Sequence, residues 1–116
     1  MKISRVAELL GAQIKSCADK ASSEVCSACG SDMMSDVLAF VKDQAVLLTG
    51  LVNPQVVRTA EMMDMRCIVF VRSKLPTDEM LALAEEAGIV VMTTPLRMFE
   101  ACGILYSGGL GMTESL

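Results

Sequence analysis

Two cysteines in the first third of the chain, Cys26 and Cys29, have the C-x-x-C spacing of metal-binding and redox-active thiol pairs. A closed zinc site requires four ligands, and the sequence offers no second such pair and no histidine. The chain holds five cysteines, an odd number that is typical of reduced thiols. A thiol-based metal or redox protein that uses Cys26 and Cys29 is one hypothesis, and close packing of small residues in a strand is the other.

Four polar residues follow this pair within six positions: Ser31, Asp32, Ser35 and Asp36. Two carboxylates and two hydroxyls could bind Mg²⁺ or the hydroxyl groups of a ligand. Asp32 and Asp36 are also the acids that a small enzyme would use. The same residue types build ordinary turns and helix starts, with Ser35 as an N-cap and Asp36 beside the positive end of the helix dipole. The residue types alone fit both interpretations.

A third group is predicted to lie at the carboxyl ends of three strands: Thr49, Asn53, Arg72, Lys74 and Thr94. Ligands of open parallel sheets bind at that edge, near a reversal in strand order. Arginine and lysine beside helix N-termini suit a phosphate or carboxylate. We therefore expect a site for a small anionic metabolite or nucleotide. The alternative is that Asn53 and Thr94 only cap helices, while Arg72 and Lys74 belong to a solvated loop.

Several classes of chemistry are excluded by residues that the sequence lacks. The chain contains no histidine, which excludes His-dependent triads, Cys-His catalysis and histidine acid–base chemistry. It also contains no G-x-x-x-x-G-K-[ST] motif, so kinase activity is excluded. The net charge of −4, with no basic stretch, argues against nucleic-acid binding. We predict a non-catalytic protein that has no cofactor and binds no nucleic acid.

Three short apolar runs must position these residues: Ala45–Thr49, Cys67–Val71 and Ile89–Thr93. Each run is too short for a helix and too continuously apolar for a strand with one wet face, which is typical of parallel strands covered on both faces. A helical pattern follows each run, and the spacing of roughly 22 residues is that of a strand, a crossover helix and two loops. Asn53-Pro54 and Thr94-Pro95 predict two of the helix starts.

The first half of the chain is less regular. We expect Ser4 to cap a short helix that ends at Gly11, Ala12–Ser16 and Glu24–Cys29 to form strands, and Ser35 to cap a further helix that includes Val41. The elements together predict an α/β three-layer sandwich with a mostly parallel sheet of four to five strands. No linker divides the chain. Residues 1–107 are therefore predicted to form one domain, followed by a flexible glycine-rich tail at 108–116.

The apolar fraction of 53% raises the question of a membrane protein. The longest uncharged stretch, Gln44–Val57, is shorter than the ~20 residues of a spanning helix and is broken by Asn53-Pro54. No charged segment followed by an apolar one opens the chain, which predicts a cytoplasmic protein without membrane association. So few charges on a small domain leave apolar surface exposed. This predicts a homodimer, with a protein partner as a further possibility.

The segment Gly30–Ala39, GSDMMSDVLA, resembles the signature of stand-alone DRTGG-domain proteins. The likeness extends over about residues 3–106 and includes Leu48-Thr49-Gly50, Asn53-Pro54 and residues 85–91. It implies a fold related to the N-terminal domain of HPr kinase/phosphorylase, without the kinase domain. It also implies a regulatory or dimer-forming module, of the kind that accompanies CBS domains in a regulatory pyrophosphatase, and not a catalytic one.

The motif that names this family is altered in the chain. Val71-Arg72-Ser73 stands where the resemblance places a strand ending in Thr-Gly-Gly. Gly50-Leu51-Val52-Asn53-Pro54 stands where an Asp-Arg pair would lie. The resemblance therefore implies the fold more directly than it implies a ligand site.

Overall fold

A computed structural model describes residues 1–40 and 44–110 of the chain. Within these ranges the chain forms five α-helices: α1 Ile3–Leu10, α2 Met34–Phe40, α3 Pro54–Met62, α4 Asp78–Ala87 and α5 Met98–Ser107. It also forms five strands: β1 Gln13–Ile14, β2 Ser27–Gly30, β3 Ala45–Thr49, β4 Cys67–Phe70 and β5 Val90–Thr93. A short 3₁₀ turn lies at Ala18–Lys20.

The five strands form one sheet in the order β1-β5-β4-β3-β2. Strands β2 to β5 are parallel, and β1 pairs antiparallel with β5 through Gln13 and Thr93. The predicted mostly parallel sheet is confirmed. The parallel strands follow chain order without a reversal, so the expected switch in strand order does not occur among them.

Helices cover both faces of the sheet and make it the middle of three layers. One core cluster joins α2, α3 and α4 to the sheet: Val37, Val57, Ala60, Met80 and Ala84 pack with Leu47, Ile68, Phe70 and Val91. The other cluster joins α1 and α5 to the opposite face: Ile3, Val6, Leu10, Ala101 and Leu105 pack with Val46, Leu48, Val69 and Met92. Strands β3, β4 and β5 are buried throughout, which explains their uninterrupted apolar sequence.

The antiparallel edge is extended by a side chain rather than by a longer strand. The Ser16 hydroxyl donates to the carbonyl of Ile89 (2.8 Å) and accepts from the backbone N–H of Val91 (2.9 Å). The hydroxyl replaces ladder hydrogen bonds, so only Gln13–Ile14 of the predicted strand at residues 12–16 is regular.

Several predicted element starts are wrong. Helix α1 begins at Ile3 with Lys2 as its N-cap, so Ser4 lies inside the helix. Strand β2 is shifted toward Gly30 relative to the predicted 24–29. Helix α2 begins at Met34, which places Ser35 in the first turn rather than at the cap. Ser31 instead supports this turn, because its hydroxyl accepts from the N–H of Met33 (3.0 Å).

The predicted helix start at Thr94-Pro95 is also wrong. The Thr94 hydroxyl donates to the carbonyl of Leu10 (2.7 Å) and accepts from the N–H of Leu96 (3.2 Å). These bonds tie the loop after β5 to the end of α1, and α5 begins only at Met98. The start at Asn53 is confirmed, since its side chain accepts from the N–H of Gln55 (2.8 Å).

Leu110 closes the described part of the chain and packs into the core beside α1 and α5. Residues 111–116, which make up most of the predicted tail, lie outside the described residues, as does Val41. Among the residues that the structure describes, no helix combines the length and apolarity needed to cross a bilayer.

Candidate functional site

A cleft of about 420 Å³ opens at the carboxyl ends of the parallel strands. It lies between the β2–α2 loop, the residues after β4 and the start of α5. The lining residues are Gly30, Ser31, Asp32, Val71, Arg72, Arg97, Met98 and Phe99. Two arginines and one aspartate therefore line the cleft together with a phenylalanine.

Asp32 connects the β2–α2 loop to the end of β3 through two hydrogen bonds. Its Oδ1 accepts from the Thr49 hydroxyl (3.0 Å) and from the N–H of Gly50 (2.7 Å). Thr49 Oγ1 in turn accepts from the N–H of Leu51 (3.1 Å). The carboxylate thus has a structural role through one oxygen, while Oδ2 faces Arg72 at 4.0 Å.

Arg72 follows β4 in an unusual backbone conformation. Its φ is 56° and that of Ser73 is 57°, both in the left-handed region. Backbone bonds hold this turn, since Arg72 donates to Leu96 O (2.8 Å) and Ser73 donates to Thr94 O (2.9 Å). Each such residue costs on the order of 1 kcal/mol. The Gly-Gly of the resembled family motif would adopt this turn without that cost.

The side chain of Arg72 is half exposed and crosses the start of the β3–α3 loop. Its guanidinium lies against Gly50, where an added Cβ would overlap with Nη2. Asp32 on one side and Gly50 beneath therefore define where this cation sits. The pair with Asp32 is solvated on both partners, so it orients the guanidinium more than it stabilises the fold.

The start of α5 supplies the opposite wall. The N–H of Arg97 donates to Glu100 Oε1 (3.3 Å), which satisfies one free donor of the helix N-terminus. Phe99 is 88% exposed, an unusual state for a phenylalanine. Arginine recognises phosphate and carboxylate through paired N–H donors, and an exposed ring can stack on a planar group. The arrangement can bind an anion that carries a planar moiety.

The structure brings together only part of the predicted anion site. Arg72 lines the cleft, and Thr49 contacts it through Asp32. Asn53 caps α3 instead, and Thr94 is 99% buried in its loop contacts. Lys74 is exposed in the loop after β4 and does not line the cleft.

Only half of the second predicted cluster, which comprises Ser31, Asp32, Ser35 and Asp36, lies at the cleft. Ser31 and Asp32 line the cleft, whereas Ser35 and Asp36 lie exposed in the first turn of α2. Sequence reasoning missed Arg97 and Phe99, because the helix was expected to begin three residues earlier. The signal was present: Glu100 stands three residues after Arg97, the spacing of an acid that bonds back to the N-cap position.

The C-x-x-C thiols have separate environments. Cys26 Sγ contacts Gln44 Oε1 (3.3 Å). Burial, with a smaller effect from the carboxylate of Asp36, raises the pKa of the Cys29 thiol. A raised pKa disfavours the thiolate that metal binding and thiol exchange require. All five cysteines are free, and residues 1–40 and 44–110 contain no group of three or more Cys, Asp or Glu that could hold a metal ion.

No protein-family model matches the chain, and no curated protein matches it. Among solved structures, the chain is similar to the CBS and DRTGG domains of the regulatory region of Clostridium perfringens pyrophosphatase, complexed with its activator diadenosine tetraphosphate. The TM-score is 0.71 at 14% sequence identity. The chain has a CBS/DRTGG-like fold. The alignment covers 90% of this chain but 45% of the other, so the chain spans less than half of that regulatory region.

The likeness supports a DRTGG/CBS-like fold, which agrees with the sequence resemblance at the level of the fold. The relation to HPr kinase/phosphorylase stays a prediction. In the pyrophosphatase the matched domains belong to the regulatory region. At 14% identity the likeness concerns the fold alone.

Proposed function

We propose that the protein is a non-catalytic, ligand-sensing regulatory module that binds a small anionic metabolite or nucleotide between Arg72 and Arg97. The observation that carries the proposal is that Arg72 and Arg97, from two different elements, line one cleft. The cleft has one acid, and its Oδ1 already accepts two hydrogen bonds. A phosphate bound in the cleft would therefore meet two arginines and one carboxylate, and one oxygen of that carboxylate already accepts two hydrogen bonds.

A nucleotide fits this cleft better than a bare phosphate. Phe99 stands at its rim with most of its ring in water, so a base stacked on it would remove apolar surface from solvent. The solved regulatory region of similar fold was captured with a dinucleotide activator, which supports the same class of ligand. The proposal further takes the protein to be cytoplasmic and self-associating, as its sequence predicts.

A thermal-unfolding panel with adenine and guanine nucleotides, dinucleoside polyphosphates and phosphorylated sugars tests this function. A ligand at 100 times its Kd stabilises the folded state by about 2.7 kcal/mol. We expect at least one nucleotide to raise the unfolding temperature, and Arg72→Ala and Arg97→Ala to lose most of that increase. Arg58→Ala, on the exposed side of α3, is the matched control and should respond like the wild type.

Two results would contradict the proposal. One is a panel in which no anion shifts the unfolding temperature. The other is a shift that survives both arginine substitutions, because the ligand would then bind elsewhere. No contact within the described residues favours the thiol-based or enzymatic alternatives.

A further inference from the structure

Helix α5 is apolar on two opposite sides. Ala101 and Leu105 face the sheet and are buried. The outer side carries Phe99 and Tyr106, which are 88% and 63% exposed, and its only charged residue is Glu100. A helix that is apolar on both sides is normally covered on both. The described part of the chain covers only one.

A shallow groove of about 600 Å³ runs along this uncovered side, between α1 and α5. Leu9, Leu96 and Ile104 form its apolar wall, and Phe99 stands at one end. Gly103 lies at its middle, and a Cβ added there would meet no atom within 4 Å. The backbone of α5 is therefore open to close approach at this position.

We infer that a second copy of this chain occupies the groove, with the two α5 helices antiparallel about a two-fold axis near Gly103. Phe99 precedes Gly103 by one helical turn, and Tyr106 follows it by nearly one turn. An antiparallel crossing at Gly103 brings Phe99 of each copy against the turn that holds Tyr106 of the other. The face is self-complementary, as an isologous contact requires.

Charge and area both favour a second copy over other occupants. Glu100 lines the groove three residues before Gly103, and an antiparallel crossing at Gly103 places it opposite Tyr106 of the second copy rather than opposite the second Glu100. Helices that lie on membranes carry lysine or arginine along their polar side, and α5 has neither. The exposed aromatic rings of two copies would bury on the order of 500 Å². The groove walls would then bring the total toward the roughly 1,000 Å² of a specific interface.

The proposed function includes self-association, and this interface places it on α5. The interface depends on the proposed self-association and not on the proposed ligand. Phe99 lines both the ligand cleft and the groove, so no test substitution is placed there. Gly103 and Tyr106 lie further along α5 and do not line the cleft. Substitutions at these two positions therefore test the interface without removing a residue from the cleft.

Sedimentation equilibrium on the full chain tests the inference. We expect the wild type at high micromolar concentration to have twice the 12.4 kDa chain mass. Gly103→Arg and Tyr106→Arg should each weaken dimerisation at least 100-fold and give the monomer mass, because a long cation would stand at the crossing. Both positions are open or exposed, so far-UV circular dichroism should remain native. Met62→Arg, at a 69% exposed position on α3, is the matched control and should stay dimeric.

A wild-type chain that stays at 12.4 kDa throughout the concentration series overturns the inference. So does a dimer that persists in both folded arginine variants, since self-association would then use another face. Neither result bears on the anion site, which the thermal panel tests separately. Failure of the thermal panel with a dimer broken by Gly103→Arg would refute the ligand proposal and leave the interface standing.

Discussion

The guanidinium of Arg72 lies against the backbone of Gly50, so close that a methyl group at position 50 would overlap with Nη2. The position of the Arg72 guanidinium therefore depends on glycine, which has no side chain, at position 50 of the β3–α3 loop. The N–H of the same glycine donates to Asp32, which faces the arginine from the other side. Gly50 therefore positions both partners of the ion pair: its N–H binds Asp32, and its lack of a side chain leaves room for the guanidinium of Arg72.

Gly50→Ala should displace Arg72 while leaving the Asp32 hydrogen bond in place. We expect the affinity for the bound anion to fall about tenfold, which corresponds to about 1.4 kcal/mol. Titration calorimetry with the best ligand of the thermal panel measures this loss. Arg58→Ala, on the exposed side of α3, is the control and should keep the wild-type affinity. Equal affinity in Gly50→Ala and wild type would show that the position of Arg72 does not matter to the ligand.

Asp32→Asn should strengthen anion binding. The amide oxygen can still accept from Thr49 and Gly50, but the negative charge that competes for Arg72 is gone. We expect roughly a threefold to tenfold gain in affinity and less than about 1 kcal/mol change in stability, since the ion pair is half exposed. Asp32→Ala removes the acceptor as well and should cost about 1 kcal/mol of stability. Weaker anion binding in Asp32→Asn would instead show that the ligand uses this carboxylate directly.

Ser73→Gly should stabilise the protein. Ser73 has a φ of 57°, and glycine adopts this conformation without steric cost. The relief of about 1 kcal/mol or more is partly offset by the larger backbone entropy of unfolded glycine. We expect a net gain of about 0.5 kcal/mol in urea denaturation. A loss of stability would mean that the serine side chain makes a compensating interaction.

Alkaline pH should destabilise the fold through its buried thiols. Burial raises the pKa of Cys67, which is completely buried, above the ordinary value of 9.0. The folded state then retains a proton that the unfolded state releases above about pH 9. The contribution of this thiol is complete below that pH and declines as the pH rises, by at most about 1.4 kcal/mol per pH unit.

Cys67→Ala isolates this effect. The variant loses some packing at every pH, but its free energy of unfolding should fall less steeply between pH 9 and 11 than that of the wild type. Urea titrations across that range provide the measurement. Parallel slopes in the two proteins would show that Cys67 does not titrate on unfolding.

The sequence predicts the part of the fold that is built from local units. Ala45–Thr49 is recovered to the residue, and the strands at 67 and 90 differ by one residue at an end. Their apolar runs, helix caps and even spacing all lie within neighbouring segments. The N-terminal part is less predictable, because its strand depends on Ser16 bonding to residues more than seventy positions away.

The residues of the cleft show the same difference between features that depend on neighbouring segments and features that depend on distant contacts. Arg72, Thr49 and Asp32 could be placed at one edge from the ends of adjacent strands. Arg97 and Phe99 could not, because the start of α5 is displaced by the use of the Thr94 hydroxyl for Leu10. The left-handed turn at Arg72 and Ser73 also escapes prediction, since neither residue type signals it.

The contact between Thr94 and Leu10 spans 84 positions, whereas strands β2 to β5 pair in chain order through single crossovers. The parallel strands can assemble step by step, but the layer of α1 and α5 forms only when residues 3–10 and 98–107 come together. That layer closes the longest loops and should be the first unit to open in native-state hydrogen exchange. Arg97 and Phe99 belong to it, while Arg72 belongs to the sheet. A ligand that contacts both Arg72 and Arg97 would therefore connect the parallel sheet, which folds early, to the layer of α1 and α5, which folds late. It would stabilise the later layer against local opening.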